Sequence, residues 1–173
     1  WRALARPGYE PADGALITLG FDGSRTEDAT ALVGTEIRTG YQWVLGLWER
    51  PGHLRPSQRW EVPASEVDEA VEAAFTRYEV WRMYADPFFW GNWLDTWAGR
   101  YGDDRVVRWP TNRRRKTADM IRAYANAMQD APAEDDAPAE DAGPVAVVAQ
   151  QPQRLSHDGN AQMARHVANA HRM

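Results

Sequence analysis

The stretch ALITLGFDGS, residues 15–24, decides the fold. Ala15 to Phe21 form a short apolar run rich in strand formers, and the run ends at Asp22-Gly23-Ser24, a turn signal. A second run, Ala29 to Gly34, follows after only a few polar residues, and a third, Tyr41 to Trp48, follows a Gly-containing turn. Three consecutive strands with short links predict an antiparallel meander.

Downstream the period changes from two to 3.6. Val67, Ala70, Val71, Ala74, Phe75 and Tyr78 recur at helical spacing behind Pro63-Ala64-Ser65. Ser65 and Asp68 have the spacing of a capping box, and Glu66 and Glu69 add negative charge to the first turn. Glu79 to Ala85 reads as a fourth strand, stopped by Asp86-Pro87. Trp90, Trp93, Leu94, Trp97 and Tyr101 lie three or four apart, which predicts a second helix burying an aromatic stripe in the core. Val106 to Trp109 is a short fifth strand. Thr117 to Met128 is a third helix with Met120, Ile121 and Tyr124 on its inner face, and Asn160 to His171 a last helix capped by Ser156 or Asp158. The order β-β-β-α-β-α-β-α predicts an α/β fold with a central mixed five-stranded sheet flanked by helices.

The chain has 173 residues, 43% hydrophobic and 26% charged, with nine Trp, six Tyr and four Phe. That is enough bulk for one packed domain over residues 1–173 and excludes a disordered or collagenous chain. Absence of Cys excludes disulfides and thiolate metal sites, so a metal must be held by oxygen or imidazole. No run approaches the ~20 apolar residues of a membrane span, and Trp1 to Arg6 lack a signal-peptide core, so a soluble protein without a membrane partner is expected. A start at Trp1 and a stop at Met173 soon after a helix predict a fragment of a longer chain.

Net charge is −5, but Asp130 to Pro144 holds six acids and no base, so the remainder carries 19 acids against 20 bases. A nucleic-acid partner therefore stays compatible with the overall acidity. The window belongs to a segment, 130–152, rich in Ala, Pro, Asp and Glu with APAED occurring twice. Such a segment buries too little apolar surface to offset its ordering entropy, so a disordered acidic loop is expected.

A meander followed by a β-α-β return commonly sets the fourth strand beside the first and parallel to it. Asp22 and Asp86 then stand at neighbouring strand ends, about 5 Å apart. Carboxylates this close repel unless a proton or cation intervenes, and Mg²⁺ or Mn²⁺ suits an all-oxygen site. The arrangement fits two-metal phosphodiester hydrolysis. Asp28 is placed either near the metal or as a solvated hairpin residue, and Asp158 beside His157 either as a substitute ligand or as a helix cap. For the phosphate backbone the candidates are Arg113, Arg114, Arg115 and Lys116 at the start of the third helix, with Ser24 and Arg25 beside Asp22.

GFDGS (Gly20 to Ser24) with DATALV (Asp28 to Val33), WERP (Trp48 to Pro51), YADP (Tyr84 to Pro87), WPTN (Trp109 to Asn112) and LSHDGNAQMARHVANA (Leu155 to Ala170) come in an order that resembles the nuclease domain of tailed-bacteriophage terminase large subunits. The resemblance implies a ribonuclease H-like fold and an endonuclease that cuts concatemeric double-stranded DNA during genome packaging with two Mg²⁺ or Mn²⁺ ions. It matches Asp22 to the family's first acidic residue and Asp86 to its second; the third is expected beyond Met173. It further implies an upstream ATPase domain in the full-length chain, the portal and the small terminase subunit as partners, and the cytoplasm of the bacterial host as location. The sole lysine, Lys116, follows three arginines and not a Gly-rich turn, so no P-loop is present within the chain. Two readings compete: a catalytically incomplete DNA- or portal-binding remnant of the same fold, and a carbohydrate-active protein suggested by the Trp content. Limited proteolysis is expected to nick 130–152 first, and replacing that segment with a short Gly-Ser linker should leave the thermal unfolding midpoint essentially unchanged.

Overall fold

A computed structural model describes residues 2–26, 28–55, 57–112, 114–129 and 155–170. The expected acidic loop, 130–152, and Arg113 lie outside the described residues. The meander consists of β1 (Leu16–Asp22), β2 (Thr30–Glu36) and β3 (Tyr41–Trp48), paired antiparallel in chain order. Helix α1 (Ala64–Arg77) returns the chain to β4 (Glu79–Ala85), which pairs parallel to β1. Helix α2 (Gly91–Tyr101) leads to β5 (Val106–Arg108), parallel to β4, and α3 (Arg114–Gln129) follows.

The sheet has six strands, not five, in the order β5-β4-β1-β2-β3-β6. The extra strand, β6 (Ser156–His157), pairs parallel with Tyr41 and Gln42 of β3 and precedes α4 (Ala161–Ala170). Two residues carry no readable period, so only the exposed edge of β3 defines this strand. The N-terminal segment extends the same edge through Arg6, whose N–H donates to the His157 carbonyl at 2.7 Å.

Alternation along β1 assigns the two faces of the sheet. Ile17, Leu19 and Phe21 are buried against Val67, Val71 and Ala74 of α1 and Leu94 and Trp97 of α2. Phe21 meets Trp90 and Trp97 edge-on, with ring centroids 5.1 and 5.4 Å apart, so the aromatic stripe is core as its spacing predicts. Thr18, Gly20 and Asp22 alternate to the opposite face.

Three local expectations are corrected. The first helix has no capping box: it starts at Ala64 behind Pro63, whose carbonyl accepts from Glu66 and Val67 N–H. Asp68 instead accepts from the Trp97 indole at 2.8 Å and pairs with Arg100 at 3.0 Å, joining α1 to α2. In α3, Met120 and Ile121 are 46% and 61% exposed, and Tyr124 turns inward to donate to Gln42 Oε1 at 2.7 Å. The helix rotates because its contact is a polar anchor on β3. The last helix is capped by neither Ser156 nor Asp158: Asn160 Oδ1 accepts from Gln162 and Met163 N–H at 2.9 and 3.1 Å.

The Asp68 bridge separates the two readings of α1. Asp68→Ala is expected to destabilise the domain by about 1–3 kcal/mol, because a buried indole N–H loses its acceptor. Ser65→Ala should stay within about 0.5 kcal/mol, and urea unfolding of both variants checks the contrast.

Candidate active site

Three chain segments converge at the C-terminal ends of the parallel strands β1, β4 and β5, the usual ligand edge of such sheets. β1 ends at Asp22. The β4 ladder runs one rung further, with Asp86 N–H donating to the Phe21 carbonyl at 3.2 Å, so Asp22 and Asp86 occupy adjacent strand ends as expected. Trp109 N–H donates to the Ala85 carbonyl at 2.7 Å, which brings the chain after β5 over Asp86. Gly23 is required where it stands, since a Cβ there would collide with the buried Trp90 indole.

The two carboxylates have opposite environments. Asp86 is buried and accepts from Phe88 N–H at 3.0 Å, from Thr111 N–H at 3.1 Å and from the Thr111 hydroxyl. Burial is the largest single influence and pushes its pKa up. The three hydrogen bonds together outweigh it and hold Asp86 below the usual carboxylate range. Asp22 is exposed as a residue, yet its pKa is raised, first by desolvation and then by repulsion from Asp86 and Asp28. Protein crowded around its carboxyl removes water that an open surface would keep.

Asp28 is thus close enough to be felt electrostatically, while its Oδ1 accepts from Ala29 N–H at 2.8 Å. Asp158 is not brought to the pair. It follows β6, three strands from β1, and stands level with Leu19, so at one strand spacing each it lies at least about 14 Å from the pair. Its oxygens accept from Val44 and Asn160 N–H at 2.9 and 2.8 Å, which ties α4 to β3. Among the described residues no group of three or more His, Cys, Asp or Glu side chains is arranged to hold a metal.

Ser24 orders the loop after Asp22, its hydroxyl accepting from Asp28 N–H at 3.3 Å and its carbonyl from the Thr30 hydroxyl at 2.7 Å. Arg25 is paired with Glu61 at 2.5 Å. Arg114 opens α3, Arg115 is exposed, and Lys116 Nζ sits 3.8 Å from the centre of the Trp109 ring. The residue that sequence reasoning overlooked is Thr111, the main partner of Asp86. Its position within WPTN, directly after β5, was the available signal.

Among curated proteins, the chain is similar to the Gene 13 protein of Mycobacterium phage D29, 40% identical over 103 residues that make up 57% of this chain and 16% of that protein. It is also similar to the Gene 13 protein of Mycobacterium phage L5, 38% identical over 90 residues, 51% of this chain and 14% of that one. The matched region spans about a sixth of the length of these relatives. No family model matches the chain, and no solved structure does. Among the described residues no helix is long and apolar enough to cross a membrane.

The opposed pKa shifts set opposite pH signatures. Asp86 stabilises the fold above the unfolded-state pKa of about 3.9, and that contribution is lost as pH falls through its lower folded value. Asp86→Asn is expected to destabilise by about 1–3 kcal/mol at pH 7, with the difference shrinking in acid. Asp22 has the reverse sign: its ionisation opposes folding as pH rises above about 3.9 through its raised folded value. Asp22→Asn should therefore raise the thermal midpoint at pH 7 and lose that advantage below about pH 4. Thermal scans from pH 3 to 8 read both signs.

Proposed function

We propose that this domain is a metal-dependent endonuclease with a ribonuclease H-like fold, similar to the nuclease domain of tailed-bacteriophage terminase large subunits, and that it cuts concatemeric double-stranded DNA during genome packaging. The observation that carries the reading is the placement of Asp22 and Asp86 on adjacent ends of parallel strands. The order β3-β2-β1-β4-β5 supports it, because a meander with its fourth strand beside the first is what the motif order implies. Similarity to two phage proteins is compatible with it.

The donor set fits a hard divalent cation: two carboxylates side by side, one of them with a pKa raised first by desolvation and then by the other's charge. Asp22 and Asp86 would hold Mg²⁺ or Mn²⁺, and bound metal would supply a water of lowered pKa and charge stabilisation for the leaving oxygen. Asp86 enters this role already oriented, since Thr111 and Phe88 fix both its oxygens. Asp22 has no such clamp, and a cation would offset the repulsion it feels. Asp28 adds negative charge to the same surface, and the third family carboxylate is sought outside Asp158. Exposed Arg115 and Lys116, with Arg113 and Arg114, are assigned to the DNA backbone, where they give affinity without sequence choice. An ATPase domain, the portal and the small terminase subunit are the partners that this reading implies.

Plasmid nicking by the full-length protein tests the assignment. The unmodified protein should nick only with Mg²⁺ or Mn²⁺, and Asp22→Asn and Asp86→Asn should each reduce nicking to background while filter retention of DNA persists. Nicking at the unmodified rate by either variant would overturn it. DNA retention with no nicking by the unmodified protein would favour the binding remnant.

A further inference from the structure

Between Asp86 and the start of α3 lies a cleft of about 450 Å³, lined by Asp86, Pro87, Phe88, Pro110, Thr111 and Asn112. We propose that it is a nucleobase subsite, taking one unstacked base of the bound DNA against the Phe88 ring beside the carboxylate pair. The proposal rests on the DNA-cleaving reading above and extends it, because such a subsite directs the protein to DNA whose strands are locally opened.

The loop that follows Asp86 carries two adjacent phenylalanines, 67% and 57% exposed, with ring centroids 4.1 Å apart. Rings left this exposed gain little from folding, and the backbone of Phe89 opposes it, holding φ at 64°, a region bulky residues enter only under strain. The loop is not loose. Asp86 N–H is fixed to the Phe21 carbonyl, and Trp90 is buried in the core with its N–H on the Pro87 carbonyl at 3.2 Å. The rings are therefore held outward by a loop pinned at both ends.

The chemistry of the cleft selects its occupant. Two prolines and an aromatic face offer a flat apolar slot, and Asn112 and Thr111 offer polar groups at its edge. The volume of about 450 Å³ falls in the range of about 300–1,000 Å³ common to small-molecule pockets, so a single base fits. The Thr111–Asn112 wall continues directly into the basic run at the head of α3, where Arg115 and Lys116 are exposed. An aromatic slot followed in the chain by a run of cations suits a base attached to its phosphate backbone, the pairing found in single-strand binding surfaces. Phe88 also donates its N–H to Asp86 Oδ1, so a base stacked on Phe88 sits two residues along the chain from the carboxylate proposed to act on the backbone.

Fluorescence anisotropy with the full-length protein carrying Asp22→Asn, without divalent metal, tests the subsite. The probes are two labelled single strands of equal length, oligothymidylate and the same backbone with abasic sites. The thymidine strand should bind about tenfold more tightly. Phe88→Ala should remove that difference, and Phe88→Tyr, which keeps a stacking face, should retain it. Lys116→Ala should weaken both strands alike and flatten their salt dependence. Equal binding of the two strands before any Phe88 change overturns the subsite, as does a difference that survives Phe88→Ala. A fall from dimer to monomer on Phe88→Ala also overturns it, since a second copy would then be the occupant. Base preference in a protein that fails to nick plasmid with metal supports the subsite and defeats only the cleavage reading.

Discussion

The parallel pairing of β1 with β4 is the constraint on which the rest of this structure depends. It requires a crossover that leaves the meander, passes through α1 and inserts β4 on the free side of β1. The aromatic contacts of Phe21 with Trp90 and Trp97 hold that arrangement from one face. Phe21 lies on β1, whereas Trp90 and Trp97 lie at the start of α2 and within it, so these contacts join the sheet to α2. The same pairing forces two aspartates onto neighbouring strand ends, where their charges oppose each other.

How that opposition is managed gives the site its asymmetry. Asp86 receives three hydrogen bonds and stays ionised despite burial. Asp22 has only the Gly23 backbone N–H to offset desolvation and the repulsion of Asp86 and Asp28, and its pKa is raised. Neighbouring groups whose surroundings push their pKa values apart are a recurrent feature of functional surfaces. The strained, outward-facing Phe88–Phe89 loop belongs to the same edge and fits the same logic. Both features oppose folding, and the tryptophan core beneath supplies the stability that tolerates them.

The opposite edge of the sheet is organised by polar contacts. β6 adds to β3, Asp158 bridges Val44 and Asn160, and Tyr124 reaches Gln42. These bonds place α3 and α4 against β3, and they explain why Asp158 serves the framework three strands from the carboxylate pair. A histidine-aspartate-glycine sequence that looks like metal-site material is here a short edge strand and a turn.

What the sequence determined by itself is what short-range physics determines. Period-two apolar runs set β1 to β4, helical spacing set α1 and α2, and Asp-Gly and Asp-Pro set where two of the strands stop. Because a meander followed by a crossover helix sets β4 beside β1, the Asp22–Asp86 juxtaposition was legible in the sequence. Tertiary structure decided what depends on partners distant in the chain. It chose Trp97 and Arg100 for Asp68 over a local cap, turned Met120 and Ile121 outward because Tyr124 found Gln42, and created β6 from two residues lying on an open edge. It also set Thr111 over Asp86, which no spacing rule foretells, since 25 residues separate them and only the β5 return brings them together. Local pattern fixes elements because neighbouring residues share one backbone; hydrogen-bond partners and face orientation are set by the whole fold, where each group takes the partner that burial leaves within reach.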